Sequence, residues 1–318
     1  MLQNALNTFL FAFNITAPIF VMLFLGIWLK KRSMIDTEFI NTASRLVYNI
    51  GLPVMLFITS ANTDVAHITN WDMLIAFGAM TGLVFIGSLL TAHWHCKDER
   101  DQGVFIQGAF RGNLVILGLA FCANAYGEKG LALASLPVAM TVLLYNVLSV
   151  YVLNRSLHHA KNSFRPTLIG IVKNPLIIAI FAGFSVSAIN LKLPGVMLDS
   201  GKYLSQMVLP LALICIGGAL SIERLTRIDS TTTSVCVWKL ILSPVIACVI
   251  AIVLGLRGDA LAILFLLAAS PTATISFVMV QAMKGNGELA ANIIAQTTLW
   301  SLVTVTLGLW ILQVISLI

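Results

Sequence analysis

The chain has 318 residues, of which 58% are hydrophobic and 10% are charged, whereas roughly a quarter of the residues of an ordinary soluble domain are charged. This composition excludes a soluble globular protein and predicts an integral membrane protein. The formal net charge of +6 does not indicate nucleic-acid binding, because that would need a basic soluble module and the apolar runs leave no room for one.

Ten apolar runs have about the 20 residues that a helix needs to cross a bilayer core about 30 Å thick. They are called spans 1 to 10 below, and in order they are Leu6–Trp28, Ile40–Ser60, Met73–Ala92, Val104–Ala125, Gly130–Leu153, Thr167–Ile189, Tyr203–Leu220, Thr231–Gly255, Ala260–Met283 and Leu289–Leu317. We therefore predict an all-α integral membrane protein with ten transmembrane helices and both termini on one side.

Lysine and arginine collect in alternate loops, and basic loops are typically cytoplasmic. One set of loops and adjoining span ends contains Lys30, Lys31, Arg32, Arg45, Lys97, Arg100, Arg155, Lys161, Arg165, Lys173, Arg224, Arg227, Lys239 and Lys284. The opposite set contains Lys129, Lys192, Lys202 and Arg257. We expect a multi-pass protein of the cytoplasmic membrane, in a bacterium the inner membrane, with both termini outward.

Spans 2 and 7 share a Leu-Pro-x-x-Leu sequence that places Pro53 and Pro210 inside apolar runs. One interpretation is a proline kink whose freed carbonyl group is satisfied by a neighbouring helix. The other is that spans 2 and 7 cradle a crossing of two broken helices. The sequence leaves both open.

No metal or cofactor site is expected. The loop after span 2 contains Asp64, His67, Asn70 and Asp72, but histidines and carboxylates in a solvated loop are usually only hydrated. The five cysteines are scattered without a Cys-x-x-Cys pair, which predicts packing residues and no disulfide framework. Because all five histidines fall in or beside loops, a buried histidine proton relay is excluded.

The middle of span 4 reads Phe110-Arg111-Gly112-Asn113-Leu114, which predicts a broken helix. Gly112 lowers helix propensity by about 1 kcal/mol relative to alanine, and the amide of Asn113 can satisfy freed backbone groups or a ligand. A cation at the depth of Arg111 costs at least a few kcal/mol unless it meets an anion or water. Arg111 either supplies positive charge to a substrate, snorkels to the cytoplasm or pairs with a loop acid such as Asp101.

Three polar residues lie inside spans 5, 8 and 10, and two of them have two open interpretations. Asn146 in span 5 and Gln296 in span 10 either join helices, as single amides in membranes often do, or bind the substrate. Lys239 lies about a third of the way into span 8 and can snorkel to the membrane surface.

Span 9 contains Ser270-Pro271-Thr272-Ala273-Thr274, which predicts a second broken helix because proline removes a hydrogen-bond donor and clashes with the preceding turn. Its three hydroxyl groups can replace the lost bonds or face a ligand. A half-helix that begins after such a break points its positive N-terminal end into the cavity. We expect the broken helices of spans 4 and 9 to cross and form one substrate site.

The acidic residues point to an anionic substrate. All thirteen Asp and Glu residues lie in loops or at span ends. A cation carrier or a carboxylate-based proton pump would normally need one within a span.

An internal repeat relates the two halves of the chain. A proline, a phenylalanine and a glycine recur with the same spacing in spans 1 and 6, and the two sets are Pro18, Phe24 and Gly26, and Pro175, Phe181 and Gly183. The offset of 157 positions also relates the two Leu-Pro-x-x-Leu sequences. We predict one repeat in residues 1–157 and a second in residues 158–318, inverted because each has five spans. Inverted repeats with interrupted helices are typical of secondary transporters.

At these residues the chain resembles the auxin efflux carrier family, which includes plant PIN-type carriers and bacterial permeases proposed for malonate or malate. Asn174-Pro175 with Gly183 is similar to the motif that opens the second half of the plant carriers, although Ile178 stands where that motif has tyrosine. The first crossover helix of the family is matched by Asn113, Gly118 and Tyr126-Gly127, and the second by Pro271 and Phe277.

The chain departs from the plant pattern in three further places. Gly112 stands where the plant carriers have proline, and Ala273 stands where they have glycine. The loop near Asn154–Pro166 is short, whereas plant carriers insert a long hydrophilic loop there. These differences favour a bacterial member and argue against auxin as the substrate.

The resemblance implies a scaffold domain of spans 1, 2, 6 and 7 and a transport domain of spans 3–5 and 8–10, with elevator-like movement between them. A homodimer is compatible with it. The predicted function is secondary transport of small organic anions, carboxylates, by alternating access, and the alternative is a membrane receptor that binds the same ligand without moving it. We expect no enzyme, since no buried Ser/His, Asp/Asp or His/Glu constellation is present.

The residues predicted to bind the substrate are Arg111, Asn113, Asn146, Ser270, Pro271, Thr272, Thr274 and Gln296. The residues predicted to shape the crossover are Gly112, Pro53 and Pro210. The coupling ion, proton or sodium, is not determined by side-chain identity.

Overall fold

A computed structural model of the protein describes residues 2–62, 71–157, 175–189, 191, 193–220 and 229–318. These residues form helices and no strand, which confirms the all-α prediction. Seven helical runs in the described residues are long and apolar enough to cross a membrane, namely Ala12–Lys31, Thr37–Ala61, Trp71–His95, Leu114–Ser156, Gly195–Ala219, Ser230–Val253 and Gly287–Val314. Two further apolar helices, Pro175–Ala188 and Gly258–Ala268, are shorter. The chain is a multi-pass membrane protein.

The α-helices in chain order are α1 Leu2–Lys31, α2 Thr37–Leu46, α3 Leu52–Ala61, α4 Trp71–His95, α5 Glu99–Phe110, α6 Leu119–Ser156, α7 Pro175–Ala188, α8 Gly195–Ala219, α9 Ser230–Val237, α10 Ser243–Val253, α11 Gly258–Ala268, α12 Ile275–Ala282 and α13 Gly287–Val314. Single π-helical turns cover Val47–Gly51, Leu114–Gly118 and Trp238–Leu242. Residues 167–174 of span 6, including Asn174, lie outside the described residues.

Two of the π-helical turns have a sequence cause. Pro53 and Pro244 follow the turns Val47–Gly51 and Trp238–Leu242 within two residues. Because proline has no N–H, the carbonyl group one turn earlier loses its α-helical partner, and a wider turn accommodates the defect. Spans 2 and 8 therefore continue through their prolines as single helices with a bulge.

Gly127 separates spans 4 and 5. It lies within α6 with φ 56° and ψ −140°, in the positive-φ region where a side chain is strained. The helix axis changes direction there, so that α6 contains the end of span 4 and the whole of span 5.

Two groups of helix contacts surround the candidate site. In the first group α1 lies along α8 and α7 lies along α3, with backbones so close that a Cβ atom at Gly217 would be 2.0 Å from the carbonyl oxygen of Leu23. In the second, α4 packs against α5 and α10, and α11 packs against α6 and α10. A buried hydrogen bond of 2.7 Å between the hydroxyls of Thr16 and Thr306 joins α1 to α13.

Candidate functional site

The two predicted interruptions are present and lie against each other. α5 ends at Phe110, α11 ends at Ala268, and Gly112 and Thr272 form an antiparallel bridge between the breaks. The N–H of Asn113 donates to the carbonyl oxygen of Pro271 at 2.6 Å, and the N–H of Ala273 donates to that of Arg111 at 3.0 Å. Since unpaired backbone groups cost several kcal/mol each in hydrocarbon, each break stabilises the other.

Two hydroxyl groups of span 9 satisfy carbonyls at the helix ends. Thr272 donates from Oγ1 to the carbonyl oxygen of Gly108 in the last turn of α5 at 2.8 Å. Ser270 donates from Oγ to that of Leu267 in the last turn of α11 at 2.7 Å. The N–H of Thr272 donates to Oγ1 of Thr297 at 3.2 Å. The sequence left open whether these hydroxyls replace lost bonds or face a ligand, and in the structure both bond the backbone.

Lys239 lies behind the meeting point and does not snorkel. Its side chain has 0% exposure, and Nζ donates to the carbonyl oxygen of Ala268, the last residue of α11, at 2.9 Å. The interpretation that this lysine reaches the membrane surface is therefore wrong. The negative C-terminal end of the half-helix α11 favours a cation at this position.

Gly112 is required by close packing at the same point. A Cβ atom added there would lie 2.7 Å from Oγ of Ser270 and 3.1 Å from Nζ of Lys239. The absence of a side chain at residue 112 thus makes room for the ammonium group.

Arg111 is buried in a neutral hydrogen-bonding environment. It is 5% exposed, and its guanidinium donates from Nη1 to Oγ of Ser149 at 2.9 Å and from Nη2 to Oδ1 of Asn146 at 2.8 Å. Its Nε has no hydrogen-bond partner among the described residues. Neither snorkelling nor pairing with Asp101 occurs, because Asp101 instead accepts a hydrogen bond from Nδ2 of Asn286 at 3.1 Å.

The charge at the meeting breaks is positive and uncompensated within the described residues. Arg111 and Lys239 are the charged side chains among the buried residues that the structure describes. Among all the described residues the one ion pair joins Lys129 to Asp259, and both of these side chains are exposed. A buried cation that lacks a carboxylate partner favours the approach of an anion.

A cavity of about 930 Å³ opens beside the breaks. The predicted site residues that line it are Arg111, Gly112, Asn113, Asn146 and Thr274. Nδ2 of Asn113 is buried and has no hydrogen-bond partner in the described part of the chain. Two residues of the cavity wall, Arg111 and Asn113, thus each hold a buried donor without a partner among the described residues.

The remaining predicted residues lie elsewhere. Ser270, Pro271 and Thr272 are buried beneath the cavity wall. Gln296 is buried, and its Oε1 accepts a hydrogen bond from Nε1 of Trp300 at 3.2 Å, so it joins residues of its own helix and does not line the cavity.

Neither of the two prolines lines the 930 Å³ cavity. Pro53 is half-buried and lies outside the 930 Å³ cavity. Pro210 lines a second cavity of about 610 Å³ together with Asn62, Glu128 and Lys202. Lys202 lies in the first turns of α8, whereas Ala219 and Leu220 at its other end line the larger cavity, so the two cavities lie at opposite ends of α8.

Ser149 was missed by sequence analysis and Lys239 was misplaced. Ser149 lies three residues after Asn146, which places both on one helix face, and this spacing could have indicated it. Lys239 carried the same signal as Arg111, a cation within an apolar run, but its position behind the breaks depends on the tertiary packing of span 8.

The described residues contain no group of three or more His, Cys, Asp or Glu side chains that could hold a metal ion. Burial raises the pKa of the Cys96 thiol, in the turn after α4, to about 12, so this thiol is neutral at physiological pH and a poor ligand. Asp64, His67, Asn70, His158 and His159 lie outside the described residues.

Comparison with known proteins identifies transporters along nearly the whole chain. The family model described as "Membrane transport protein" matches residues 11–310. The "Putative malonate transporter" of Rhizobium meliloti is 28% identical over 314 residues, covering 94% of this chain and 95% of that protein. An "Uncharacterized transporter" of Methanocaldococcus jannaschii is 25% identical, covering 94% and 98%, and one of Escherichia coli K12 is 21% identical, covering 94% and 97%.

Gly112→Ala tests the packing at the breaks. The added methyl group must displace Ser270 or Lys239 from a backbone carbonyl, and overpacking of this kind costs about 1–3 kcal/mol. We expect the melting temperature of the purified protein in detergent, followed by tryptophan fluorescence, to fall by several degrees. Gly78→Ala is the matched control, because a Cβ atom there meets nothing within 4 Å. Equal melting temperatures for the two variants would contradict the packing.

Proposed function

Because the chain belongs to the membrane transport protein family, also known as the auxin efflux carrier family, we propose that it is a secondary transporter of small organic anions, carboxylates, that works by alternating access across the cytoplasmic membrane. The single observation that carries this proposal is the buried guanidinium of Arg111 at the meeting of two broken helices, with no carboxylate bonded to it among the described residues.

The polar groups on the cavity wall match a carboxylate. Guanidinium groups bind carboxylates by charge-assisted hydrogen bonds, each worth roughly 1.5–3 kcal/mol. The Nε of Arg111 and the Nδ2 of Asn113 are donors without a partner in the described residues, and the hydroxyl of Thr274 lies on the same wall. Asn146 and Ser149 hold the guanidinium in place by accepting from its other nitrogens.

Two helix N-termini add to this attraction. The helical segment that begins at Leu114 and the helix α12, which begins at Ile275, both start directly after a break, and their first residues line the cavity. The free N–H groups of a helix N-terminus carry partial positive charge and favour an anion. No described carboxylate is buried nearby to oppose them.

An inverted repeat of ten spans, in residues 1–157 and 158–318, is supported by a pair of matching helix contacts. A Cβ atom at Gly26 would lie 2.2 Å from the carbonyl oxygen of Ile214, and one at Gly183 would lie 2.6 Å from that of Phe57. The offset of 157 positions relates Gly26 to Gly183 and also Phe57 to Ile214. Span 1 therefore packs on span 7 as span 6 packs on span 2, which is the relation that two inverted copies would have.

The two cavities at opposite ends of α8 support alternating access. Each lies between helices of the proposed scaffold, spans 1, 2, 6 and 7, and helices of the proposed transport domain, spans 3–5 and 8–10. Movement of the transport domain along the scaffold would carry the broken helices from one cavity to the other. An elevator of this kind keeps the site intact while its access changes.

Substrate exchange tests the site directly. Proteoliposomes that contain the purified protein and unlabelled malonate should accumulate radiolabelled malonate or another carboxylate of a panel by counterflow. Asn113→Ala and Arg111→Met should each lower the initial exchange rate at least about tenfold, because each removes a donor worth about 1.4 kcal/mol or more. Arg111→Met should still fold, since relief from burying an isolated charge offsets the loss of its hydrogen bonds to Asn146 and Ser149.

The control for this experiment is Arg257→Met. Arg257 is exposed, and its Nη1 donates to the carbonyl oxygens of Ile252 and Leu256 in its own segment, so exchange should be retained. Undiminished exchange by Asn113→Ala would contradict the site. Saturable binding without any counterflow would identify a receptor in place of a transporter.

The proposed orientation places both termini outside the cytoplasm and lets the larger cavity, whose edge includes the exposed Arg45, face the cytoplasm. Alkaline phosphatase is active only after export, so a fusion after Ile318 should be active in intact bacteria and a fusion after Lys97, in a basic loop, should be inactive. The opposite pattern of activities would reverse the orientation.

A further inference from the structure

Lys239 is a buried cation that the proposed substrate site does not use. Its side chain has 0% exposure and is absent from the wall of the 930 Å³ cavity. It projects from the π-helical turn Trp238–Leu242 to the last residue of α11. Gly112, one of the two residues of the bridge that joins the breaks, lies against the ammonium group.

The surroundings of the ammonium group have the chemistry of a site for an alkali cation. The carbonyl oxygen of Ala268 lies at the negative end of a half-helix and accepts hydrogen bonds from Nζ of Lys239 at 2.9 Å and from Oγ of Ser243 at 3.4 Å. Oγ of Ser270 faces the same point, since both it and Nζ would contact a Cβ atom at Gly112. Half-helix C-terminal ends and unwound carbonyls are the groups that coordinate sodium in transporters with broken helices.

A cation is needed at this position for two physical reasons. The carbonyl oxygen of Ala268 accepts from side chains and not from the backbone, and the helix dipole places negative partial charge at this end of α11. The bond from Lys239 supplies both a donor and a positive charge. When this lysine is absent, a cation from solution could supply the positive charge at the same oxygens.

We propose that the ammonium of Lys239 is a tethered substitute for a coupling cation, so that this protein exchanges its substrate without binding sodium or another alkali ion at the breaks. The proposal rests on the proposed transport function and specifies its ion requirement. Exchange should require a small cation only when the Lys239 side chain is removed and its space is left open.

The experiment compares wild type, Lys239→Ala and Lys239→Met in media that contain sodium or N-methyl-D-glucamine as the sole added cation. Malonate counterflow by the wild type should be equal in the two media within about twofold. In N-methyl-D-glucamine the exchange rate of Lys239→Ala should be at least about tenfold below that of the wild type. In sodium it should recover to near the wild-type rate. Lys239→Met fills the space without charge, so its rate should be low in both media. Lys129→Met, which changes an exposed lysine, should behave as the wild type.

A second readout needs no substrate. Sodium should raise the melting temperature of purified Lys239→Ala by several degrees relative to N-methyl-D-glucamine and should leave that of the wild type unchanged, because a ligand that binds the folded state stabilises it. If the wild type exchanges no carboxylate at all, the proposed function fails, while the melting experiment still tests Lys239.

Three results would overturn the inference. One is a wild type that requires sodium for exchange or melts at a higher temperature in sodium. Another is a Lys239→Ala protein that is indifferent to sodium in both readouts. If Lys239→Ala does not yield folded protein, full exchange activity of Lys239→Met would show that the charge is dispensable and would overturn it equally.

Discussion

The structure depends on backbone hydrogen bonds that join two interrupted helices to each other. A helix interrupted within a membrane exposes N–H and C=O groups that hydrocarbon cannot satisfy. Here the bonds from Asn113 to Pro271 and from Ala273 to Arg111 join one break to the other, and Thr272 reaches back to the end of α5. Each break therefore stabilises the other, and the contact holds the ends of α5 and α11 together.

Positive charge accumulates at this contact as a consequence. Two helices end at the breaks and two begin there, and each kind of end has a distinct polarity. Lys239 lies at the C-terminal end of α11, while the N-terminal ends and Arg111 border the cavity. The lysine is matched by a helix end, whereas the guanidinium has neutral partners only, Asn146 and Ser149. The chain thus keeps one cation for its own stability and presents the other to the cavity.

The sequence predicted the helical class and both interruptions because these follow from local chemistry: apolar length, the proline at residue 271, and the polar run from Arg111 to Asn113. It could not predict which hydroxyl groups turn inward, because Ser270, Thr272 and Thr274 are equivalent as side chains and differ only in their place relative to the break. It also misplaced Lys239, since the choice between snorkelling and burial is made by neighbouring helices. The roles of Asn146 and Gln296 diverged for the same reason.

In the proposed function, the positive charge of Arg111 attracts the substrate to the meeting breaks. The most direct measurement is equilibrium binding of the radiolabelled carboxylate that the protein exchanges, in competition with its amide, which has nearly the same shape and no charge. The amide should displace the label at least about 100-fold less well than the carboxylate, since two charge-assisted hydrogen bonds are lost. Equal displacement by the two compounds would contradict an anion site at Arg111.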